Sequence, residues 1–187
     1  MGQFFKIIFL ADFSVSDISS FSNEYIIMWV SPEDYNMNLK MMHHAFIGNE
    51  MIEAIEFCLC PYGEYHKCRL VWAGDYADCE KNDSDNNLYS LAIDEDTNQI
   101  PETRDMSLFN YIVNHTKKQY INKNNLKKSD LTIHPLPLLV SEGNGKGWGD
   151  YYGYNSELCG IWSRDIISVE QTISDDFTEL ICNFHEY

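Results

Sequence analysis

Two kinds of apolar pattern run along this chain. Compact apolar runs at Gln3 to Leu10, Tyr25 to Val30, Arg69 to Trp72 and Ile166 to Val169 predict strands. Turn-forming residues such as Ser31-Pro32 bound them. Tyr111 to Asn114 and Gln119 to Ile121 read as a hairpin around His115-Thr116-Lys117-Lys118. Helical spacing appears from Glu50 to about Cys60, where Ile52, Ile55 and Leu59 form one stripe with Met51 and Cys58 beside it. Asn49 is its predicted cap, Glu50, Glu53 and Glu56 fall largely outside the stripe, and Pro61 and Gly63 close it. Asn38 is placed to cap a shorter helix through Phe46, which Gly48 stops. The run at 87–92 fits a short helix or a core-touching strand. Leu136, Leu138, Leu139 and Val140 read as a short apolar strand entering a loop with glycines at 143, 145, 147, 149 and 153. In the tail, Phe177, Leu180, Ile181 and Phe184 have helical spacing and predict a C-terminal helix docked on the body. Strands and helices without regular βαβ alternation predict a single α+β domain over 1–187, with a mainly antiparallel sheet and a few packed helices.

Charge changes the picture more than composition does. Apolar residues make up 44% of the 187, enough for a real core, but the formal net charge is −16. That argues against a general nucleic-acid binder, which needs basic surface. It admits simple solubility, docking on a basic protein, or cation binding. Residues 75–105 hold ten acidic and two basic side chains. This region reads as a mobile acidic insert around 80–105, and Asp83, Asp85, Asp94, Glu95 and Asp96 become the candidate partner-binding residues. Lysines 117, 118, 123, 127 and 128 form the basic cluster, read as a solvated face. The N-terminal MGQFFKIIFLADF lacks the basic start and cleavage site of a signal peptide, and its apolar run is too short to span a bilayer. The six cysteines are therefore expected as reduced thiols in a cytoplasm. Their spacing lacks the paired C-x-x-C of a zinc site. No cofactor is implied, and metal ligation is left open.

Three stretches have the residue types for chemistry. Trp72-Ala-Gly-Asp75-Tyr-Ala-Asp78 puts two carboxylates just past a strand end, a set suited to Mg²⁺ or Ca²⁺; the plainer reading makes Asp75 a turn cap and Asp78 solvated. The glycine loop, with Glu142, Asn144, Lys146 and Asp150, matches neither a P-loop nor a dinucleotide fingerprint. Its amides and Lys146 are still suited to an anion. Alternatively, its glycines serve only a close crossing of backbones. Gly160-Ile-Trp-Ser-Arg164-Asp165 offers a ligand clamp or a structural charge pair. Convergence of the three at one sheet edge would line a cleft with Asp75, Asp78, Asp150, Arg164 and His115, joined by Trp72, Asn144, Lys146 and Asp165. His115 and His134 are otherwise structural histidines. No Ser-His-Asp or Cys-His set can be assembled, and no catalytic residue is assigned.

In order, the segments MGQFFK, HHAFIGN, VWAGDYAD, NLYSLA, YIVNHTKKQYI, IHPLPLLVSEGNGKGWGDYYG and GIWSRDIISVE resemble a family of uncharacterised proteins of bacteriophages and bacterial genomes. The resemblance spans most of the chain. Trp148 stands where the family pattern has glycine and Ser163 where it has alanine. The resemblance implies a phage or prophage context and a bacterial cytoplasm, and carries no activity. Two expectations follow. One is an acidic binding protein that inhibits a bacterial host or defence protein by occupying a basic surface. The alternative is a small-ligand (nucleotide-like) binding protein or metal-dependent enzyme built on loop 143–153, taking a small anionic ligand. Neither involves nucleic acid or membrane directly.

Overall fold

The computed structural model describes residues 3–12, 25–31, 40–81, 85–92, 97–99, 105–126, 132–143 and 151–185. Its strands are β1 (Phe5–Asp12), β2 (Tyr25–Ser31), β3 (Cys68–Gly74), β4 (Thr97–Gln99), β5 (Tyr111–Asn114), β6 (Gln119–Asn122), β7 (Ser141–Glu142), β8 (Ile166–Glu170) and β9 (Thr178–Glu179). Among the described residues these form one nine-stranded sheet in the order β4-β2-β1-β3-β8-β5-β6-β9, with β7 also on β3. The β2/β4, β3/β7 and β6/β9 pairs are parallel and the rest antiparallel. With helices α1 (Met41–His44), α2 (Glu50–Leu59), α3 (Leu88–Leu91) and α4 (Pro135–Leu139), the architecture is α+β, as the pattern predicts.

The apolar run of β1 is nearly continuous because both faces of the strand are covered. Phe5, Ile7 and Phe9 enter the main core with Leu70 and Trp72 of β3. Ile8 and Leu10 turn the other way, with Val71 and Ala73, against Leu88 and Ala92 at α3. So part of the stretch read as an acidic insert is packed on the body: Lys6 donates to the Ala92 carbonyl, and its ammonium lies 4.6 Å from the Tyr89 ring centre. The main core is closed by α2. Its Asn49 cap accepts from the Met51 and Ile52 amides at 3.1 and 3.4 Å, satisfying donors a helix start leaves open. Ile52, Ile55 and Leu59 are buried there, each worth about 1.5–3 kcal/mol.

Three expectations are corrected. The apolar segment after His134 is helix α4, not a strand. Pro135 occupies the first turn, where its missing N–H costs nothing, and His134 Nδ1 accepts from the Leu136 amide at 3.3 Å. The tail is extended rather than helical. Thr178 and Leu180 amides donate to the Lys118 and Tyr120 carbonyls at 2.9 and 2.7 Å, and Ile181 faces solvent at 73% exposure. Glu56 lies inside the α2 core face at 3% exposure. The first helix is shorter than expected, and Asn38 lies outside the described residues. All six cysteines are free thiols; burial pushes Cys58, Cys159 and Cys182 up to about 12. Among the described residues no helix is long and apolar enough to cross a membrane.

The buried Trp72 indole donates to His44 Nε2 at 3.0 Å. A second proton on that ring would face the indole N–H. Burial lowers His44 to about 4, against the opposing effect of the Lys40 carbonyl. A depressed folded value means stability present above the unfolded value of 6.5 and lost as pH falls toward 4. We expect folding stability to drop by the order of 3 kcal/mol across that window in urea titrations. His44→Gln, which keeps an acceptor without titrating, should flatten that decline; an unchanged decline would assign the effect elsewhere.

Candidate functional site

Arg164, in the third stretch, joins Glu142 of the second to Glu80, two residues beyond the end of the first. Its Nε donates to Glu142 Oε1 at 2.6 Å and its Nη2 to Glu142 Oε2 at 2.8 Å. On the other side Nη1 and Nη2 reach Glu80 Oε2 and Oε1 at 2.9 and 2.6 Å. Ser163 Oγ adds a 2.5 Å bond to Glu142 Oε1. Glu80 follows β3, Glu142 ends β7, and Arg164 precedes β8. Each is carried by a segment attached to the same central strand. Burial disfavours the guanidinium charge, but hydrogen bonds to both carboxylates outweigh it and raise the pKa above the ordinary arginine range. Arg164 takes a left-handed backbone, φ 61°, uncommon for a side chain of this size. Its amide donates to Leu70 O at 3.0 Å, and its carbonyl accepts from Arg69 Nη1 at 3.0 Å.

The carboxylates expected in this cluster sit elsewhere. Asp75 exchanges bonds with Phe4: the Asp75 amide donates to Phe4 O at 2.9 Å, and Asp75 Oδ1 accepts from the Phe4 amide at 3.1 Å. It extends the β1/β3 ladder across to Phe4, so its side chain serves strand pairing rather than the local turn that the plainer reading gave it. Asp78 is exposed. Trp72 is a core residue, fully buried and bonded to His44. Asp165 does not pair with Arg164. It accepts from Asn114 Nδ2 at 2.8 Å and Lys117 Nζ at 2.5 Å, so that lysine is held in the fold rather than merely solvated. Asn144, Lys146 and Asp150 lie outside the described residues, as do Asp83, Asp94, Glu95 and Asp96; Asp85 is exposed. Of the two described ends of the glycine loop, Gly153 is a close approach to another backbone and Gly143 packs on a side chain. A Cβ at Gly143 would meet Gln3 Oε1 at 2.3 Å, and one at Gly153 the His185 carbonyl at 2.3 Å.

His115 belongs to a second polar chain on β8. His66 Nε2 lies 2.7 Å from Glu170 Oε1, Ser168 Oγ donates to the same oxygen at 2.7 Å, and His115 Nε2 lies 2.7 Å from Ser168 Oγ. The Phe177 ring meets His115 edge-on at 5.7 Å. Ser168 is fully buried and gives its proton to a carboxylate rather than to an imidazole base, so it is not an activated nucleophile. Burial, then the nearby Lys67 charge, lowers the His115 pKa.

A third group is buried beneath α2. His134 Nδ1 is an acceptor, so its Nε2 carries the proton and donates to Glu56 Oε1 at 3.0 Å. Lys123 Nζ reaches Glu56 Oε1 and Oε2 at 2.8 and 2.7 Å. Burial raises the Glu56 pKa, but the His134 and Lys123 bonds and charges outweigh it and bring it below the ordinary carboxylate value. The sequence carried a signal for this residue: 52, 56 and 59 share one helical face. Glu80, His66, Ser168 and Glu170 had none, since their partners come from distant segments. Among the described residues no three His, Cys, Asp or Glu are placed to hold a metal ion.

We expect Arg164→Lys, which loses the planar fork, to destabilise the fold by about 1–2 kcal/mol, discounted for its partial exposure, or roughly 2–8 °C in Tm. Asp75→Asn keeps its Oδ1 acceptor and should melt within about 2 °C of wild type. Lys123→Met, which removes one of the two partners of a buried carboxylate, should cost about 2–4 kcal/mol by urea unfolding. Adding Glu56→Gln should recover most of that loss. Equal melting of all these variants would remove the clusters from the account of stability.

Compared with protein families, curated proteins and solved structures, the chain matches none.

Proposed function

We propose that the chain is an acidic binding protein of phage or prophage origin that acts in a bacterial cytoplasm, covering a basic surface of a host or defence protein and so inhibiting it. The observation that carries this reading is the saturation of Arg164. Four of its five N–H bonds go to Glu80 and Glu142, so an incoming anion would have to displace a glutamate to gain a bidentate grip. Lys117 and Lys123 are likewise tied to the buried carboxylates of Asp165 and Glu56, and Lys118 pairs with Asp176 at the surface. Glu50, Glu53, Glu64, Asp78 and Asp85 remain exposed. The net charge of −16 is thus expressed outward, where it speeds encounter with a basic partner and selects against acidic ones. The resemblance to phage proteins supplies the context. The small-ligand reading has less support: its arginine is occupied, and Asp75 is bonded to the Phe4 amide.

The test is kinetic. Association with a partner recovered from bacterial lysate should slow steeply as salt shortens the reach of exposed charge below roughly 8 Å. Charge reversal at Asp83, Asp85, Asp94, Glu95 and Asp96 should lower the association rate more than it raises dissociation. Binding that ignores salt and survives the reversal would point to an apolar interface instead.

A further inference from the structure

β9 ends the sheet, and only one of its edges is filled. It lies parallel to β6, with Gln119 opposite Thr178 and Tyr120 opposite Glu179. The Thr178 and Leu180 amides donate to the Lys118 and Tyr120 carbonyls. Backbone groups of an extended chain alternate between its two edges, so those of Glu179 and Ile181 point away from β6. Among the described residues, neither the N–H nor the C=O of these two residues has a hydrogen-bond partner.

The edge is also open in space. Thr178 is exposed, and Ile181 is 73% exposed. Folds guard such an edge with proline, with lysine, or with a bulge that twists it away. Residues 178–182 read Thr178-Glu-Leu-Ile-Cys182 and contain neither proline nor lysine. The strand is held in place from its other sides. Leu180 packs against the main core, and Cys182 and Phe184 are buried in it. Asn125 Nδ2 donates to Glu179 Oε1 at 2.6 Å, and the Asn183 amide donates to Asn155 Oδ1 at 2.8 Å. A partner would meet an edge that is already extended, without the entropy cost of ordering it.

The open backbone groups define the occupant. Two donor–acceptor pairs about 7 Å apart along a strand complement the backbone of another strand. A helix could not serve, because its own amides are bonded internally. Side chains refine the match. Glu179 and Ile181 lie two positions apart and share one face. Asn125 is a neutral donor, and no Lys or Arg is paired with Glu179 among the described residues. An antiparallel strand with an apolar residue opposite Ile181 and a basic one two positions later, opposite Glu179, fits both. A second copy of this edge offers no cation there and brings together two chains of net charge −16. We propose, resting on the basic-partner reading above, that β9 takes an extended segment of that partner as a further strand, bonded to the backbone of Glu179 and Ile181.

The test is an NMR titration of the full chain with two peptides: Thr-Thr-Val-Thr-Lys-Thr-Thr, and the same sequence N-methylated at Val and Lys. The first should shift the Glu179 and Ile181 amides more than those of Thr178 and Leu180, which are already bonded. The methylated peptide keeps every side chain and charge but lacks two N–H groups. It should bind at least about five-fold more weakly, the worth of one hydrogen bond. Ile181→Pro deletes an N–H that faces outward, a position where a sheet edge tolerates proline. It should weaken the first peptide by a similar factor while melting near wild type. Ile181→Ala keeps that N–H and should bind more tightly than the proline variant. If the proline variant fails to fold, the two peptides compared on wild type still decide. Equal affinity for both peptides, or no shift at Glu179 and Ile181, overturns the docking edge and leaves the basic-partner reading to its own salt dependence. Sedimentation showing a wild-type dimer that Ile181→Pro dissociates would assign the edge to a second copy and overturn the proposal.

Discussion

The backbone of β3 has to be hydrogen-bonded on both edges, because both faces of the strand are buried. Leu70 and Trp72 enter one apolar layer and Val71 and Ala73 the other, so no water reaches the peptide groups between them. One edge is taken by β1 in six consecutive pairs, from Phe5↔Gly74 to Leu10↔Arg69. The other edge is shared. β8 pairs with Cys68 and Arg69, the Leu70 amide donates to the Asp165 carbonyl at 3.2 Å, the Trp72 amide to Val140 at 3.0 Å, and β7 pairs with Trp72 and Ala73. Two segments more than twenty residues apart must end side by side along one strand.

That shared edge explains the polar cluster. Glu142 closes the segment on the upper half of the edge, Arg164 opens the segment on the lower half, and Glu80 returns from the end of β3 itself. The left-handed backbone at Arg164 follows from the same demand, since it lets the amide bond Leu70 while the side chain reaches both glutamates. Strain of this kind, about 1–3 kcal/mol, persists where surrounding bonds over-determine it. Two carboxylates and two backbone bonds do so here. The cluster is thus the consequence of a pairing requirement, which is sufficient reason for its presence without a ligand.

What the sequence made legible was local. The Asn49 cap and the stripe of α2 depend on residues a few positions apart, and the hairpin of β5 and β6 on a four-residue turn. The errors share a cause. Four apolar residues between His134 and Ser141 have no period to distinguish strand from helix, and the proline at 135, which fits a first helical turn, was the discriminating detail. Phe177, Leu180, Ile181 and Phe184 mimic helical spacing, yet the tail contributes β9 at the sheet edge, the Phe177 ring to His115 and Phe184 to the core. Its backbone bonds come from β6 and from the 151–155 segment, neither of which the tail's own pattern encodes. Glu80 lies beyond the first motif, so only the second and third motif-bearing stretches meet at Arg164, and that much was foreseeable from strand ends. Which side chains would meet was not, because the pairing of Arg164 with Glu80 and Glu142 is set by register across β3.

The division of charge in the fold links this architecture to its proposed use. A chain with 13 basic and 29 acidic side chains has few cations, and those at 117, 123 and 164 are committed to carboxylates that the fold itself leaves partly or wholly dehydrated. Such pairs are specified by geometry rather than by net stability, since removing charges from water consumes most of what their attraction returns. Their effect on the rest of the molecule is subtraction: each pair takes a cation off the surface that would otherwise have offset an exposed acid.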